Sequence, residues 1–187
     1  MRGMLAAAAG IDRLTGAVGR TASWLVLAMV LLGAFNALGR YLGRFLGVNL
    51  SSNAFIELQW YMFSLVFLLG AAHALRVGSH VRVDVLFGRL GPRARTWIDL
   101  VGTLAFLIPF CVFGLWVCWP SVASSWRVLE GSPDPGGLPR YPIKTVILIS
   151  FALLLLQGLS QAIKGVAALR GELPLGEARE LPTEAGR

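Results

Sequence analysis

Charged residues divide the sequence into long apolar stretches. No Asp, Glu, Lys or Arg occurs between Arg20 and Arg40, Glu57 and Arg76, Asp99 and Arg127, or Lys144 and Lys164. These four uncharged gaps contain 19, 18, 27 and 19 residues. A helix rises about 1.5 Å per residue and the hydrocarbon core of a bilayer is about 30 Å thick, so each gap, with its flanking residues, is long enough to span a membrane. The pattern predicts four transmembrane helices.

The predicted fold class is therefore all-α, an integral membrane protein. We place its four spans at about 22–38, 55–75, 97–119 and 143–163, within a membrane domain over 22–168. Before it lies a cytoplasmic N-terminal segment, 1–21, in which the mixed spacing of apolar residues fits a short interfacial helix. After it, the tail 169–187 is acidic and poor in apolar residues, which predicts disorder.

Composition and charge agree with a membrane protein and indicate its orientation. The chain has 187 residues, of which 56% are hydrophobic and 14% charged, and its mean hydropathy of +0.67 is too high for a soluble domain of this size. The N-terminal segment, the second loop and the tail carry 12 Lys and Arg residues, against 5 on the other two loops. Because positively charged loops stay in the cytoplasm, both termini are predicted to be cytoplasmic. The net charge of +7 then reflects topology and not nucleic-acid binding.

Residues that could carry catalysis or hold a cofactor are few. Cys111 and Cys118 lie seven residues apart in the third span without other metal-ligating side chains, so we interpret them as small packing residues. His73 and His80 fall on one face of a helix end and could not ligate a haem from both sides, which leaves capping or headgroup contact as their role. The sequence contains no catalytic triad, phosphate-binding loop or metal cluster. We therefore expect no enzyme activity and no cofactor.

Small residues recur every fourth position in two places. Gly39, Gly43 and Gly47 continue the first span, and Gly70 and Ala74 lie in the second, followed by Gly78. Such spacing lets another helix approach closely, so both stripes are candidate packing faces for a neighbouring helix or subunit. A flexible, glycine-rich helix end is an equally good interpretation of the first stripe.

Charged residues at the ends of the spans suggest two kinds of role. Glu57 and Asp99 are predicted to lie in the first turns of their helices, where the helix dipole favours a carboxylate. The alternative is an ion pair with a cation of a partner protein, for which Glu57, beside Gln59 and Trp60, is the better candidate. In the second loop, Asp84 lies between Arg82 and Arg89, so a local ion pair is expected there.

The third loop, 120–142, is rich in Pro and Gly and is expected to hold one shape. Arg127, Arg140 and Lys144 surround it, forming a positive surface that fits an acidic partner, an anionic solute or a solvated rim. Within the third span, Pro109 lacks an amide donor to Ala105 and should bend the helix.

Five short motifs in a fixed order carry a family resemblance. They are Glu57-Leu-Gln-Trp-Tyr, Gly78-Ser-His-Val-Arg-Val-Asp84, Arg89-Leu-Gly-Pro-Arg93, Trp97-Ile-Asp-Leu100 and Asp134-Pro-Gly-Gly-Leu-Pro139. With the four spans, they resemble the small membrane (DctQ-like) subunit of tripartite ATP-independent periplasmic transporters, called TRAP transporters. The resemblance covers about residues 20–168.

This resemblance implies a three-component importer in the bacterial inner membrane. A soluble periplasmic protein captures the solute, a large polytopic subunit moves it with a sodium gradient, and the small subunit supports both. The motif at 134–139 is similar to the branch that takes up 2-oxo acids and other organic acids. The spans themselves lack a cation at depth and a pair of broken helices, which agrees with an accessory role.

The resemblance also suggests where each partner binds. Membrane lipids surround the spans, and no nucleic acid is expected. The large subunit would contact Gly39, Gly43, Glu57, Gln59, Trp60, Gly70 and Ala74. The second loop and the start of the third span, with His80, Arg82, Asp84 and Asp99, would form local ion pairs. The periplasmic binding protein would dock on Arg127, Asp134, Arg140 and Lys144.

Two other classes of protein fit the same four spans. A structural scaffold of another membrane complex predicts that uptake is unchanged when the chain is deleted. A membrane cytochrome predicts visible absorption, and the missing axial ligands already argue against it.

Overall fold

A computed structural model of the chain describes residues 2–47, 52–78 and 90–175. Its helices are α1 (Arg2–Leu46), α2 (Asn53–Val77), α3 (Pro92–Gly102), a π-helical turn (Thr103–Leu107), α4 (Ile108–Arg127) and α5 (Tyr141–Leu169). α3, the π-helical turn and α4 run together as one helical span, so four helices are long and apolar enough to cross a membrane. The described ranges contain no strand. The predicted all-α fold with four spans is confirmed.

α5 is the central helix of the bundle. It packs against α1, α2, α3 and α4, whereas α1 makes its other main contact with α2. The start of α1 lies beside the end of α5, since Asp12 contacts Lys164. We call this the terminal end of the bundle. The opposite end, where α2 and α5 begin and the segment between α4 and α5 crosses, is the loop end.

Small and polar side chains fill the interior, and large apolar ones lie outside. The buried apolar residues are mostly alanines, such as Ala8, Ala72 and Ala167. In contrast, Phe106 and Trp116 are each 74% exposed. Helices in lipid gain little by burying large apolar side chains and associate instead through close contact and interhelical hydrogen bonds. Ser150 makes such a bond, because its hydroxyl donates to the backbone carbonyl of Leu68 at 2.6 Å.

α1 is longer than the first predicted span. It begins at Arg2, so the segment predicted as a separate interfacial helix forms the first turns of one continuous helix. Its other end passes the start of α2: Phe35 meets Phe55 with ring centroids 5.7 Å apart, and α1 continues from there to Leu46. Gly47 then ends the helix with a positive φ of 68°, a conformation that glycine adopts without strain. Gly39 and Gly43 of the first stripe are therefore helical, and Gly47 is not.

The third span is irregular one turn before Pro109. In the π-helical turn the amide of Ile108 donates to the carbonyl of Thr103, five residues back. A proline removes one amide donor from the helical ladder, and a π-helical turn inside an α-helix is a separate local irregularity that can also bend a helix. The bend expected at Pro109 stays a prediction, and the structure shows a widened turn just before this residue. This helix also begins at Pro92, five residues before the predicted start, with proline in the favoured first turn.

Candidate functional site

One side of α2 contacts the segment between α4 and α5, residues 128–140, at the loop end of the bundle. We call this segment the Pro/Gly loop. Asn53, Glu57 and Tyr61 recur every four residues and so lie on one face of the helix. The Asn53 amide donates to the carbonyl of Pro135 at 3.2 Å, and the Tyr61 hydroxyl donates to the carbonyl of Pro139 at 3.0 Å. These bonds attach the loop to the bundle at two points, on either side of Glu57.

Glu57 makes the central attachment and is buried, with 3% of its surface exposed. One carboxylate oxygen accepts a hydrogen bond from the Ser132 hydroxyl, and the other accepts one from the Leu138 amide. Both oxygens are therefore used within the chain. Glu57 also lies beyond the first turn of α2, because the helix begins at Asn53. The helix-dipole explanation was wrong for this residue, and the carboxylate is held instead by hydrogen bonds to the loop.

The two glycines of the loop motif are explained by this attachment. Gly136 has a φ of 72°, in the left-handed region that other residues rarely adopt. Gly137 has an ordinary φ but no room for a side chain, since a Cβ there would lie 2.4 Å from the Ser132 Cβ and 2.7 Å from a Glu57 carboxylate oxygen. One glycine thus shapes the turn, and the other allows the loop to reach Glu57.

Glu130 makes the corresponding attachment to the start of α5. Its carboxylate forms an ion pair with Lys144 and accepts a hydrogen bond from the Ser125 hydroxyl at 2.6 Å. The Lys144 ammonium, followed by the Ser125 hydroxyl, lowers the pKa of Glu130 below its ordinary value. The backbone carbonyl of Glu130 also accepts from the Arg140 amide at 2.7 Å. The loop is therefore attached to α4 and α5 as well as α2.

Of the four residues predicted to dock a binding protein, two are less exposed than the others. Lys144 pairs with Glu130, and Arg140 is half-buried. Arg127 and Asp134 are exposed. Next to Arg127, Val128 and Leu129 are 70% and 65% exposed, and Leu129 has a positive φ of 46°.

A second polar cluster, which the sequence did not predict, is buried at the terminal end between α1 and α5. Asp12 and Lys164 form an ion pair at 2.8 Å, with side chains 8% and 1% exposed. The other Asp12 oxygen accepts from the Gln157 amide at 3.0 Å and the Ser160 hydroxyl at 2.9 Å. Thr15 completes the cluster by donating to the Gln157 side-chain oxygen at 2.7 Å. Every member is satisfied by another, which fixes α1 against α5.

Glycines let α2 pack closely along α1. A Cβ on Gly19 would lie 2.3 Å from the His73 ring, and one on Gly33 would lie 2.6 Å from the Gln59 amide nitrogen. His73 is therefore packed against α1 and does not cap a helix, and its Nδ1 is buried without a hydrogen-bond partner. Gln59 faces α1.

The predicted stripes differ in their surroundings. Gly39 and Gly43 are buried, whereas a Cβ on Gly70 would have no atom within 4 Å. Gly70 lies on an outward face of α2 with Trp60 and Ala74, which are ten residues before it and four after it. The same face carries Phe63 and Phe67, which are 59% and 68% exposed.

The remaining predicted residues fall on or near the second loop. Asp99 lies in the third turn from the start of α3 and not in the first, because the helix begins at Pro92. His80, Arg82 and Asp84 lie outside the described residues.

Cys111 is buried and Cys118 is half-buried, and both are free thiols. The described residues contain no group of three metal-ligating side chains.

Comparison with known proteins gives the family of the chain. Among curated proteins and among solved structures, nothing matches. A family model described as "Tripartite ATP-independent periplasmic transporters, DctQ component" matches residues 29–168, about three quarters of the chain. The match contains the whole attached loop and α2 to α4, and it begins within α1, after Asp12. The chain therefore belongs to the DctQ component family of TRAP transporters, and it is a transporter subunit of the inner membrane, not an enzyme.

Proposed function

We propose that the chain is the small permease subunit of an importer of organic acids, most directly 2-oxo or hydroxy carboxylates. It would support a large sodium-coupled subunit and receive a solute-loaded periplasmic binding protein. The observation that carries this proposal is the loop with the Asp134-Pro-Gly-Gly-Leu-Pro139 sequence, attached through Glu57. A surface that must meet a diffusing partner gains affinity by being preorganised.

The loop end would face the periplasm, with both chain termini in the cytoplasm. This orientation follows from the distribution of Lys and Arg, which favours the N-terminus, the second loop and the tail as cytoplasmic. The docking surface would consist of Arg127, Val128, Leu129 and Asp134, because these residues are exposed at the end of α4 and on the attached loop. Lys144 and Arg140 would contribute to docking indirectly, by holding the loop in place.

The large subunit would bind the outward face of α2. Three exposed aromatic residues, Trp60, Phe63 and Phe67, are followed on this face by Gly70 and Ala74. A helix that crosses small residues can approach closely and pack against the aromatic residues beside them. Gly39 and Gly43, which were predicted for the same contact, are buried within the chain and are left out of this surface. We leave Glu57 and Gln59 out of this surface, since Glu57 holds the loop and Gln59 faces α1.

Affinity purification from the native membrane in mild detergent tests the association. We expect a large polytopic protein in near-stoichiometric amount with the tagged chain. Gly70→Leu should remove it, whereas Gly102→Leu should not; neither position has an atom within 4 Å of an added Cβ. Recovery of the chain alone from fully solubilised membranes would contradict the proposal and favour a free-standing scaffold.

Uptake of labelled 2-oxo acids into cells tests the solute and the coupling ion. Deletion of the chain should abolish uptake, and replacing external sodium with potassium should do the same. Arg127→Glu with Asp134→Lys should weaken binding of the periplasmic protein to the membrane complex, with Arg40→Glu as the control. Unchanged organic-acid uptake after deletion would exclude this solute class or the supporting role.

A further inference from the structure

Three arginines converge on one glycine at the terminal end of the bundle. The Arg76 guanidinium of α2 lies directly on Gly16 of α1, since a Cβ there would be 2.0 Å from its Nη1. Arg13 precedes Gly16 by three residues and Arg20 follows it by four, so both are its neighbours on the surface of α1. Arg13 and Arg20 are exposed and Arg76 is half-exposed. The result is a concentrated positive surface between the two helices.

No acidic side chain among the described residues neutralises this surface. The nearest acid in sequence is Asp12, and it is buried and directed at α5, where its oxygens contact Gln157, Ser160 and Lys164. The ion pairs of Asp12 with Lys164 and of Glu130 with Lys144 include none of the three arginines. Three like charges within two helical turns repel one another, and a bound anion would relieve this repulsion.

The position of the three arginines in the bundle indicates which kind of anion would bind to them. The uncharged stretch of α1 begins immediately after Arg20, so the cluster lies where the helix leaves the hydrocarbon core. Trp24, one turn further into that stretch and on the same face as Arg20, is 73% exposed. Tryptophan at such a position is typical of the depth of lipid headgroups. A phosphate in this place would belong to a lipid.

We propose that Arg13, Arg20 and Arg76 bind the headgroup phosphate of an anionic phospholipid, with Trp24 packed against its glycerol and upper acyl region. Guanidinium groups suit this ligand, because each can present two parallel N–H donors to phosphate oxygens. Arg13 and Arg20 precede the residues that the family model matches. Arg76 lies within the matched residues.

Native mass spectrometry of the purified chain tests the site. We would add phosphatidylglycerol or phosphatidylcholine to the protein in detergent and count bound lipids. The triple variant Arg13→Gln, Arg20→Gln, Arg76→Gln is compared with a matched control of equal charge, Arg40→Gln, Arg44→Gln, Arg127→Gln, on the opposite end of the bundle. The single variant Arg20→Gln changes only an exposed side chain and guards against misfolding of the triple variant.

We expect the native chain and the control to retain phosphatidylglycerol in preference to phosphatidylcholine. Each arginine near a membrane surface contributes about fivefold to the affinity for anionic lipid, so the triple variant should lose on the order of 100-fold and Arg20→Gln about fivefold. Equal retention by the triple variant, or an equal loss in the control, would overturn the proposal. Displacement of the lipid by millimolar inorganic phosphate would overturn it too, because the site would then bind a soluble anion.

Discussion

Asp12 and Lys164 are 152 positions apart in the sequence and form a buried ion pair, with 2.8 Å between the carboxylate and ammonium. The pair joins the first turns of α1 to the last turns of α5. Gln157 and Ser160 occupy the second carboxylate oxygen, so the charge is surrounded by donors. This cluster holds the first turns of α1, which continue as one helix at the terminal end, against α5.

Removing one member of the pair should destabilise the bundle strongly. Asp12→Ala leaves the Lys164 ammonium buried without its counter-charge, and such a loss costs about 3–5 kcal/mol. Asp12→Asn should cost less, because an amide oxygen can still accept from Gln157 and Ser160. Thermal unfolding of the purified variants in detergent measures the difference.

The double variant Asp12→Ala, Lys164→Ala separates pairing from packing. Its loss should be smaller than the sum of the two single losses, because the second substitution removes the uncompensated charge. Leu14→Ala, at a residue that is 48% exposed on the same helix, is the control and should change stability by less than about 0.5 kcal/mol. Additive losses would show that the two groups do not act as a pair.

Glu57 should control the mobility of the Pro/Gly loop. Glu57→Ala removes the acceptor of the Leu138 amide and of the Ser132 hydroxyl. Hydrogen exchange in peptides covering 130–142 should become faster, on the order of tenfold for the Leu138 amide, since a charge-assisted hydrogen bond is lost. Asp134→Asn changes an exposed side chain of the same loop and should leave exchange as it is. Unchanged exchange in Glu57→Ala would mean that other contacts suffice to hold the loop.

Glu130 should make the loop end sensitive to acid. Its pKa is lowered in the folded protein by Lys144 and Ser125, so the unfolded chain takes up this proton at a higher pH than the folded chain does. The stabilisation is therefore fully present above the ordinary glutamate pKa of about 4.3 and is lost as the pH falls through the lowered value. Melting curves from pH 7 to pH 3 should show a smaller decline for Glu130→Gln than for the native chain. A parallel decline in both would remove Glu130 as a cause.

The spans were predictable because the length of each uncharged stretch is enough to identify a membrane-spanning helix. A bilayer demands long uncharged helices, and the gaps between Arg20 and Arg40 or Lys144 and Lys164 are visible without knowledge of any contact. Helix ends were less accurate, since polar residues continue a helix beyond the membrane when another helix covers them. α1 shows this effect, because Asp12 and Thr15 are buried against α5.

The Asp12–Lys164 pair and the contact of Glu57 with the loop each join distant segments, so neither can be recognised from one segment alone. The segment 1–21 offers Asp12 only arginines as partners, and the sequence marks Lys164 only as the end of an uncharged gap. The small residues around them, such as Ala8 and Gly165, were the available sign of a close helix contact. Glu57 likewise gave no indication that its partner is a loop of the same chain. The glycine pair at 136–137, which belongs to a different family motif, is explained only when the loop and Glu57 are brought together.

Two glycines of α1 should respond oppositely to the same substitution. Gly19→Ala places a Cβ 2.3 Å from the His73 Cγ and 2.6 Å from its Cβ, which a rotation of the ring cannot relieve, so α1 and α2 must separate. Overpacking of this kind costs about 1–3 kcal/mol. Gly10→Ala meets no atom within 4 Å and should stabilise the helix by about 0.5–1 kcal/mol. Thermal unfolding distinguishes them, and a destabilised Gly10→Ala would show an unrecognised contact there.

Leu129 has a strained backbone conformation at the end of α4. The helix ends with the Glu130 amide donating to the carbonyl of Ser125 at 3.0 Å, an arrangement in which the residue before Glu130 adopts a left-handed conformation and is usually glycine. Leu129 occupies this position with a φ of 46° and exposes 65% of its surface. Leu129→Gly should therefore stabilise the chain by about 1 kcal/mol, whereas Val128→Gly, at a φ of −96°, should not. If Leu129 also docks the binding protein, the more stable variant should bind that protein less tightly, because the exposed side chain is lost while the loop remains attached. Higher stability with unchanged binding would leave the strain unexplained by docking.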